Sequence, residues 1–182
     1  AKHVGAMVVD VGGGTTDIAV LCDTGVVVSE SLRIGGDSFN ESIIRYIRRK
    51  KRLVIGPLTA EKIKISVGTV DRRAKERTIE VRGRDSSSGL PKMVAVNSLE
   101  IQRALEAQVM NVLEGVKSIL EKTPPELVAA INDHGIILTG GGALIDGLDR
   151  VITRSIGIAA YLVESPRSVS YTHLTLPTIC SV

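Results

Sequence analysis

The residues of this 182-residue sequence best suited to chemistry are Asp10-Val11-Gly12-Gly13-Gly14-Thr15-Thr16-Asp17. Glycines 12–14 carry no Cβ, so backbone N–H groups there can approach phosphate oxygens closely, and successive N–H groups form an anion-binding nest. Thr15 and Thr16 add hydroxyl donors. Asp10, near the end of the apolar run Ala6–Val11, can hold a magnesium ion through water, because Mg²⁺ keeps much of its hydration and takes few carboxylates. The plain alternative is a hairpin turn with three glycines. Such a turn requires neither the preceding Asp nor the Thr-Thr-Asp that follows.

A second glycine loop, Thr139-Gly140-Gly141-Gly142-Ala143, follows the buried-type strand Ile136–Leu138 and precedes a helix expected over Leu144–Ile152. A flat base or a ribose could lie there against bare backbone at a helix N-terminus. Alone, this loop reads as no more than a helix start. Together, two glycine loops at strand ends read as opposite walls of one nucleotide site. Neither is a P-loop, since no Lys follows the glycines, and neither has the G-x-G-x-x-G spacing of dinucleotide folds. His134 reads as a loop residue rather than a general base, and no catalytic residue stands out.

The elements that must position these loops alternate between strand and helix patterns. Ala6–Val11, Ile18–Leu21 and Gly25–Ser31 read as consecutive antiparallel strands joined as hairpins. Gly35-Gly36 breaks the run. Asp37 is placed to cap a helix whose Phe39, Ile43, Ile44 and Ile47 share a face. Gly56-Pro57 stops that helix, and Thr59 can cap another over Ala60–Val67. Strands follow over Thr78–Arg82 and Met93–Val96. Asn97 and Glu100 have capping-box spacing and open a long helix with Leu105, Val109, Val112, Val116 and Leu120 at helical intervals. Pro124-Pro125 ends it. A short helix over Glu126–Asn132 and a strand near Ile158–Val163 complete the pattern. The expected class is α/β, with residues 1–36 and 98–168 as one discontinuous core subdomain and 37–97 as a smaller α+β insertion. From Val169 to Val182 the periodicity stops, and this tail is expected to be non-native or disordered, resembling an adapter read-through.

Composition narrows the partners. Aromatics are 2%, with no Trp and one Phe, so the core must be aliphatic and base-stacking platforms for single-stranded nucleic acid are absent. The net charge of +3 comes from local clusters, Arg45–Arg52 and Arg72–Arg77, which read as solvated faces, with no nucleic-acid partner expected. Cys22 and Cys180 lie far apart without metal-ligand spacing, which fits a reducing, cytoplasmic setting. No apolar run reaches the length of a membrane span.

The sequence resembles the actin, sugar-kinase and heat-shock-chaperone superfamily, whose ATPase fold is ribonuclease H-like, and within it the MreB family of rod-shape-determining bacterial actins. The resemblance is carried by Met7–Thr16, Arg33-Ile34-Gly35-Gly36-Asp37, Thr59-Ala60-Glu61-Lys62-Ile63-Lys64, Lys122-Thr123-Pro124-Pro125-Glu126-Leu127 and Leu138–Leu144. It runs from about Val4 to Pro166. It implies that Gly12, Gly13, Gly14, Thr15 and Thr16 form the second phosphate loop and that Asp10 serves magnesium through water. Glu61, Lys62, Ile63 and Lys64, with Gly140, Gly141, Gly142 and Ala143, would bind adenosine. Bottom-up, Glu61 and Lys64 are only a solvated helix face.

The resemblance further implies ATP and Mg²⁺ as cofactors and self-association into filaments. The partners would be inner-membrane cell-wall elongation proteins, and the location cytoplasmic and membrane-associated. It makes the chain the second half of the fold, with the catalytic glutamate, the first phosphate loop and the membrane-contacting segments in the other half. The intact parent would then be a slow ATPase. Val70–Arg77 departs from the family's usual loop, which leaves the local filament contact open. Three rivals share the phosphate loop. A DnaK-type chaperone usually has Phe where Thr16 stands and Gly-Gly-Ser at the second loop. The division protein FtsA differs in an insertion outside this stretch. A sugar or acetate kinase would need a substrate pocket and a catalytic acid.

Overall fold

The computed structural model describes residues 4–163; the tail expected over Val169–Val182 lies outside them. The chain divides into two compact units. Among the described residues the first comprises 4–36, 110–144 and 149–163, and the second 37–109 with 145–148. The second unit therefore holds the 37–97 insertion and also takes residues 98–109.

The first unit is built on a five-stranded sheet in the order β3-β2-β1-β7-β8. Strands β1 (Gly5–Val11), β2 (Thr16–Cys22) and β3 (Gly25–Leu32) form the expected antiparallel meander. On β1, strict alternation puts Met7, Val9 and Val11 in the core, each fully buried, and turns Asp10 to the other face. Strand β7 (Ile136–Thr139) lies parallel to β1, and β8 (Ala160–Leu162) parallel to β7. Helix α4 (Pro125–His134) packs on β1 so closely that a Cβ at Gly5 would meet Ala130 Cβ and Leu127 O at 3.2 Å. His134 is the last residue of α4, not a loop residue. Its Nδ1 lies 2.7 Å from the Ala130 carbonyl oxygen.

The second unit holds a three-stranded antiparallel sheet, β4 (Leu53–Val54), β5 (Thr78–Asp85) and β6 (Pro91–Asn97), in that order. Helix α1 (Gly36–Lys51) buries Phe39, Ile43 and Ile47, while Ile44 is only half-buried. Because α1 begins at Gly36, Asp37 sits inside its first turn instead of before it. There a carboxylate favours the positive end of the helix dipole. Helix α2 (Pro57–Val67) is capped by Gly56 with Pro57 in its first turn, so Thr59 is not the cap and Gly56-Pro57 starts a helix. Proline's missing N–H costs nothing at a first helical position, which explains the reversal.

Helix α3 (Ser98–Lys122) opens on the anticipated capping box: the Asn97 N–H donates to Glu100 Oε2 at 3.1 Å, and the Glu100 N–H to Asn97 Oδ1 at 2.9 Å. Its stripe ends on Ile119, fully buried, rather than the half-buried Leu120. A helix spaced at 3.6 residues per turn drifts around its axis over 25 residues. The second glycine loop does not run straight into an α-helix: Gly141–Leu144 is a single 3₁₀ turn, and α5 covers Leu148–Ile156.

Candidate functional site

In the first unit, the parallel pairing of β1 and β7 places Asp10 opposite Thr139, while the antiparallel pairing with β2 places Asp10 opposite Asp17. Both glycine loops thus leave the carboxyl ends of adjacent parallel strands, where open α/β sheets bind ligands. The first turn is closed by the Gly12 N–H donating to Thr15 O at 2.8 Å. Gly13, Gly14 and Thr15 are exposed, and a Cβ at Gly14 or Gly141 would find no atom within 4 Å. The backbone at Gly13–Thr15 and at Gly141 therefore faces open space, whereas Gly140 and Gly142 are buried. Thr15 Oγ1 donates to Asp17 Oδ2 at 3.3 Å.

The loops also touch each other. A Cβ at Gly142 would come within 2.6 Å of Val11 Cγ1 and 3.2 Å of Gly12 O. Gly140 has φ +90°, and a Cβ there would strike Val11 O and Asp10 Oδ1. Only glycine combines that backbone angle with that approach. Ala143 is buried, its N–H donating to Gly140 O at 3.2 Å.

Two corrections concern named residues. Thr16, expected to donate its hydroxyl to phosphate, is fully buried, and its Oγ1 donates instead to Ile34 O at 2.7 Å. The alternation of β2 turns it inward, as it does Ile18 and Val20. Ile63, expected among the adenosine contacts, is only 1% exposed and belongs to the core of the second unit. On a helix, four consecutive residues cannot all face one ligand.

The sequence reading missed the support beneath the first glycine loop. Gly35-Gly36, taken as a chain break, packs directly against it. The Gly36 N–H donates to Gly12 O at 2.9 Å, and a Cβ on Gly35 would lie 2.5 Å from both Gly12 O and Gly13 O. The signal was the pair of adjacent glycines, but nothing local says what a glycine pair must approach.

In the second unit, Glu61 and Lys64 share one face of α2 and pair at 2.7 Å. Lys62 is exposed on another side, lining with Thr59 and Glu80 a shallow cleft of about 200 Å³. Asn40, from α1, donates its Nδ2 to Glu61 Oε2 at 2.7 Å. Lys64 above all holds the Glu61 carboxyl below its ordinary range; burial pushes it back upward, and the hydrogen bond from Asn40 adds a smaller pull downward. The basic residues Arg45, Arg48, Arg49 and Lys50 on α1 are exposed, as a solvated face requires.

A sheet of this order, with paired glycine loops at the ends of its central parallel strands, defines an α/β protein of the actin-like class. The MreB/Mbl protein family matches residues 1–173, and the chain belongs to that family. It is 48% identical over 162 residues to the cell shape-determining protein Mbl of Bacillus subtilis (strain 168), covering 89% of this chain and 49% of that protein. A crystal structure of MreB 5 of Spiroplasma citri bound to AMPPNP is 35% identical and superposes with a TM-score of 0.87, covering 96% of this chain and 53% of that one. The MamK double helical filament matches with a TM-score of 0.73 at 24% identity, over 95% of this chain and 54% of that one. At that identity the likeness is one of fold. The chain spans about half the length of the Bacillus relative.

Proposed function

We propose that this chain is the nucleotide-holding second half of an MreB-type bacterial actin, which binds ATP with magnesium, assembles into filaments and sets rod shape by guiding cell-wall synthesis. The observation that carries the reading is the pair of open glycine loops held side by side at the carboxyl ends of β1 and β7. Bare backbone there offers N–H donors to phosphate oxygens without side-chain obstruction. Gly12, Gly13, Gly14 and Thr15 would hold the phosphates, with Thr16 contributing through its backbone and its tie to Ile34. Asp10 would hold magnesium through water. Gly140, Gly141 and Gly142 would face the adenosine, and in the second unit Glu61 and Lys64 are the residues assigned to it.

The second-half assignment rests on the match of Asp10–Asp17 to the second phosphate loop. Filament assembly draws support from the MamK filament, nucleotide binding from the AMPPNP on the Spiroplasma relative, and the shape role from the name of the Bacillus relative. The whole protein would act at the inner membrane from the cytoplasm, with the cell-wall elongation proteins as partners. Among the described residues no helix is long and apolar enough to cross a membrane. Family membership sets aside the chaperone, FtsA and small-molecule kinase alternatives.

The test is titration calorimetry with ATP on the full-length protein. Asp10→Ala is expected to abolish most of the magnesium dependence of binding. Gly141→Val has room in this chain, so any loss of affinity reads on the ligand, and at least a tenfold loss is expected, about 1.4 kcal/mol. Unchanged affinity in both variants sinks the two-loop reading.

A further inference from the structure

Glu61 is held from two directions. Lys64 reaches its Oε2 from one turn along α2, at 2.7 Å, and Asn40 Nδ2 reaches the same oxygen from α1, also at 2.7 Å. The two anchors differ in kind. Lys64 rides on the same helix as Glu61, and a flexible lysine alone leaves an exposed carboxylate able to rotate. Asn40 comes from a separate, packed helix whose neighbouring Phe39 and Ile43 are fully buried, so it fixes the carboxylate against an independent frame. The amide itself is oriented by this one contact. Asn40 Oδ1 is buried without a hydrogen-bond partner among the described residues. Buried polar atoms are rarely left in that condition. Turning the amide over would set Oδ1 against the carboxylate oxygen, so the orphaned carbonyl is what the structure tolerates in order to keep Nδ2 on Glu61.

We propose that Asn40 is a positioning residue for the nucleoside: with Lys64 it engages Glu61 Oε2, so that the carboxylate presents its other oxygen in a fixed direction to the ribose hydroxyls of the ligand. This rests on the reading of Glu61 as a nucleoside contact. An ionised carboxylate only accepts hydrogen bonds, so a fixed Glu61 favours a ligand carrying hydroxyl donors over one that lacks them. Glu61 is ionised at neutral pH, and Lys64 and then Asn40 lower its carboxyl further, so it stays a hydrogen-bond acceptor. Loss of Asn40 leaves the ion pair but removes the direction.

The experiment compares ADP with 2′,3′-dideoxy-ADP on the full-length protein in the presence of magnesium. The wild type is expected to favour ADP. Asn40→Leu should lower that preference about fivefold, the worth of one hydrogen bond of ordinary strength, while affinity for the dideoxy nucleotide stays nearly constant. Asn40→Ser, too short to reach Glu61, should do the same and covers the case in which the leucine variant does not fold. Glu61→Gln should also lower the preference, and adding Asn40→Leu to it should lower it no further, because Asn40 acts through Glu61. An undiminished ADP preference in both Asn40 variants, with Glu61→Gln still lowering it, overturns the positioning role and leaves the nucleotide reading standing. Independent, multiplying losses in the double variant overturn it as well. If Glu61→Gln does not change the preference, the nucleoside reading of Glu61 fails, and the role of Asn40 fails with it.

Discussion

At the scale of single residues, the first glycine loop is shaped as much by what presses on it as by its own glycines. Gly35 is the clearest case, because a methyl group there would meet two carbonyl oxygens of the loop at 2.5 Å. Those neighbours are backbone and cannot swing aside, so Gly35→Ala is expected to displace the loop and lower ATP affinity at least tenfold by calorimetry. Thr16 separates the opposite effect. Thr16→Val keeps the shape but removes the donor to Ile34 O, leaving a carbonyl unpaired beside a buried site. The expected cost is about 1–3 kcal/mol of stability in urea denaturation, with Thr16→Ser close to wild type. A Thr16→Val protein with full stability but no ATP binding would restore the hydroxyl to the phosphate.

At the scale of elements, the hairpin between β5 and β6 is closed by one carboxylate. Asp85 Oδ1 accepts from the Ser87 N–H at 2.7 Å and the Ser88 N–H at 3.0 Å, and Oδ2 pairs with Lys92 Nζ at 2.9 Å. The Ser88 N–H first, then Lys92 and the Ser87 N–H, hold this carboxyl far below its ordinary range. A carboxylate depressed in the folded state contributes stability that is fully present above its unfolded pKa of about 4. That contribution is lost as pH falls toward the folded value. Asp85→Asn should therefore be less stable than wild type at neutral pH, with the gap in melting temperature narrowing as pH is lowered from about 5 to about 2. A gap that stays constant across that range would show that the ionised form is not what closes the turn.

The same scale shows how much of the architecture could be read in advance. The meander, the capping box at Asn97 and Glu100 and the long amphipathic α3 were legible because alternation, short turns, i,i+3 capping and helical spacing are all patterns along contiguous sequence. Strand β4 was not legible, since two residues, Leu53 and Val54, carry no period and pair only with Arg84 and Asp85 far along the chain. The helix expected over Leu144–Ile152 begins only at Leu148 for a related reason. The close approach of Gly142 to Val11, and the bonding of Ala143 back to Gly140, draw that stretch into a 3₁₀ turn.

At the scale of the whole molecule, a chain with 2% aromatic residues and no Trp must build its cores from aliphatic side chains. In the first unit Met7, Val9, Ile18, Ile136 and Leu138 are fully buried. In the second unit the chain's single Phe is an anchor, since Phe39 is fully buried on α1 with Ile43 and Ile47. Phe39→Ala is expected to cost about 3–5 kcal/mol, read from the urea midpoint by circular dichroism. Phe39→Leu should cost clearly less, because leucine refills most of the volume. Equal losses in the two would mean that the ring's shape, not its volume, is what the core requires.

The sequence by itself determined the family and most of the order of the elements. Asp10–Asp17 and Thr139–Ala143 are contiguous strings whose backbone freedom and hydrogen-bonding groups are local properties. What only the tertiary structure decided is which of those residues are open to solvent and which face the protein. Thr16 and Ile63 lie inside strings that match the family, yet one is tied to Ile34 and the other sits in a core. Gly35 and Asn40 lie outside the loop and the helix they serve, yet one underpins Gly12 and Gly13 and the other grips Glu61. Facing is set by contacts between residues far apart along the chain, 18 positions for Thr16 and Ile34 and 21 for Asn40 and Glu61. No local pattern records such contacts, because they form only when strands and helices have packed.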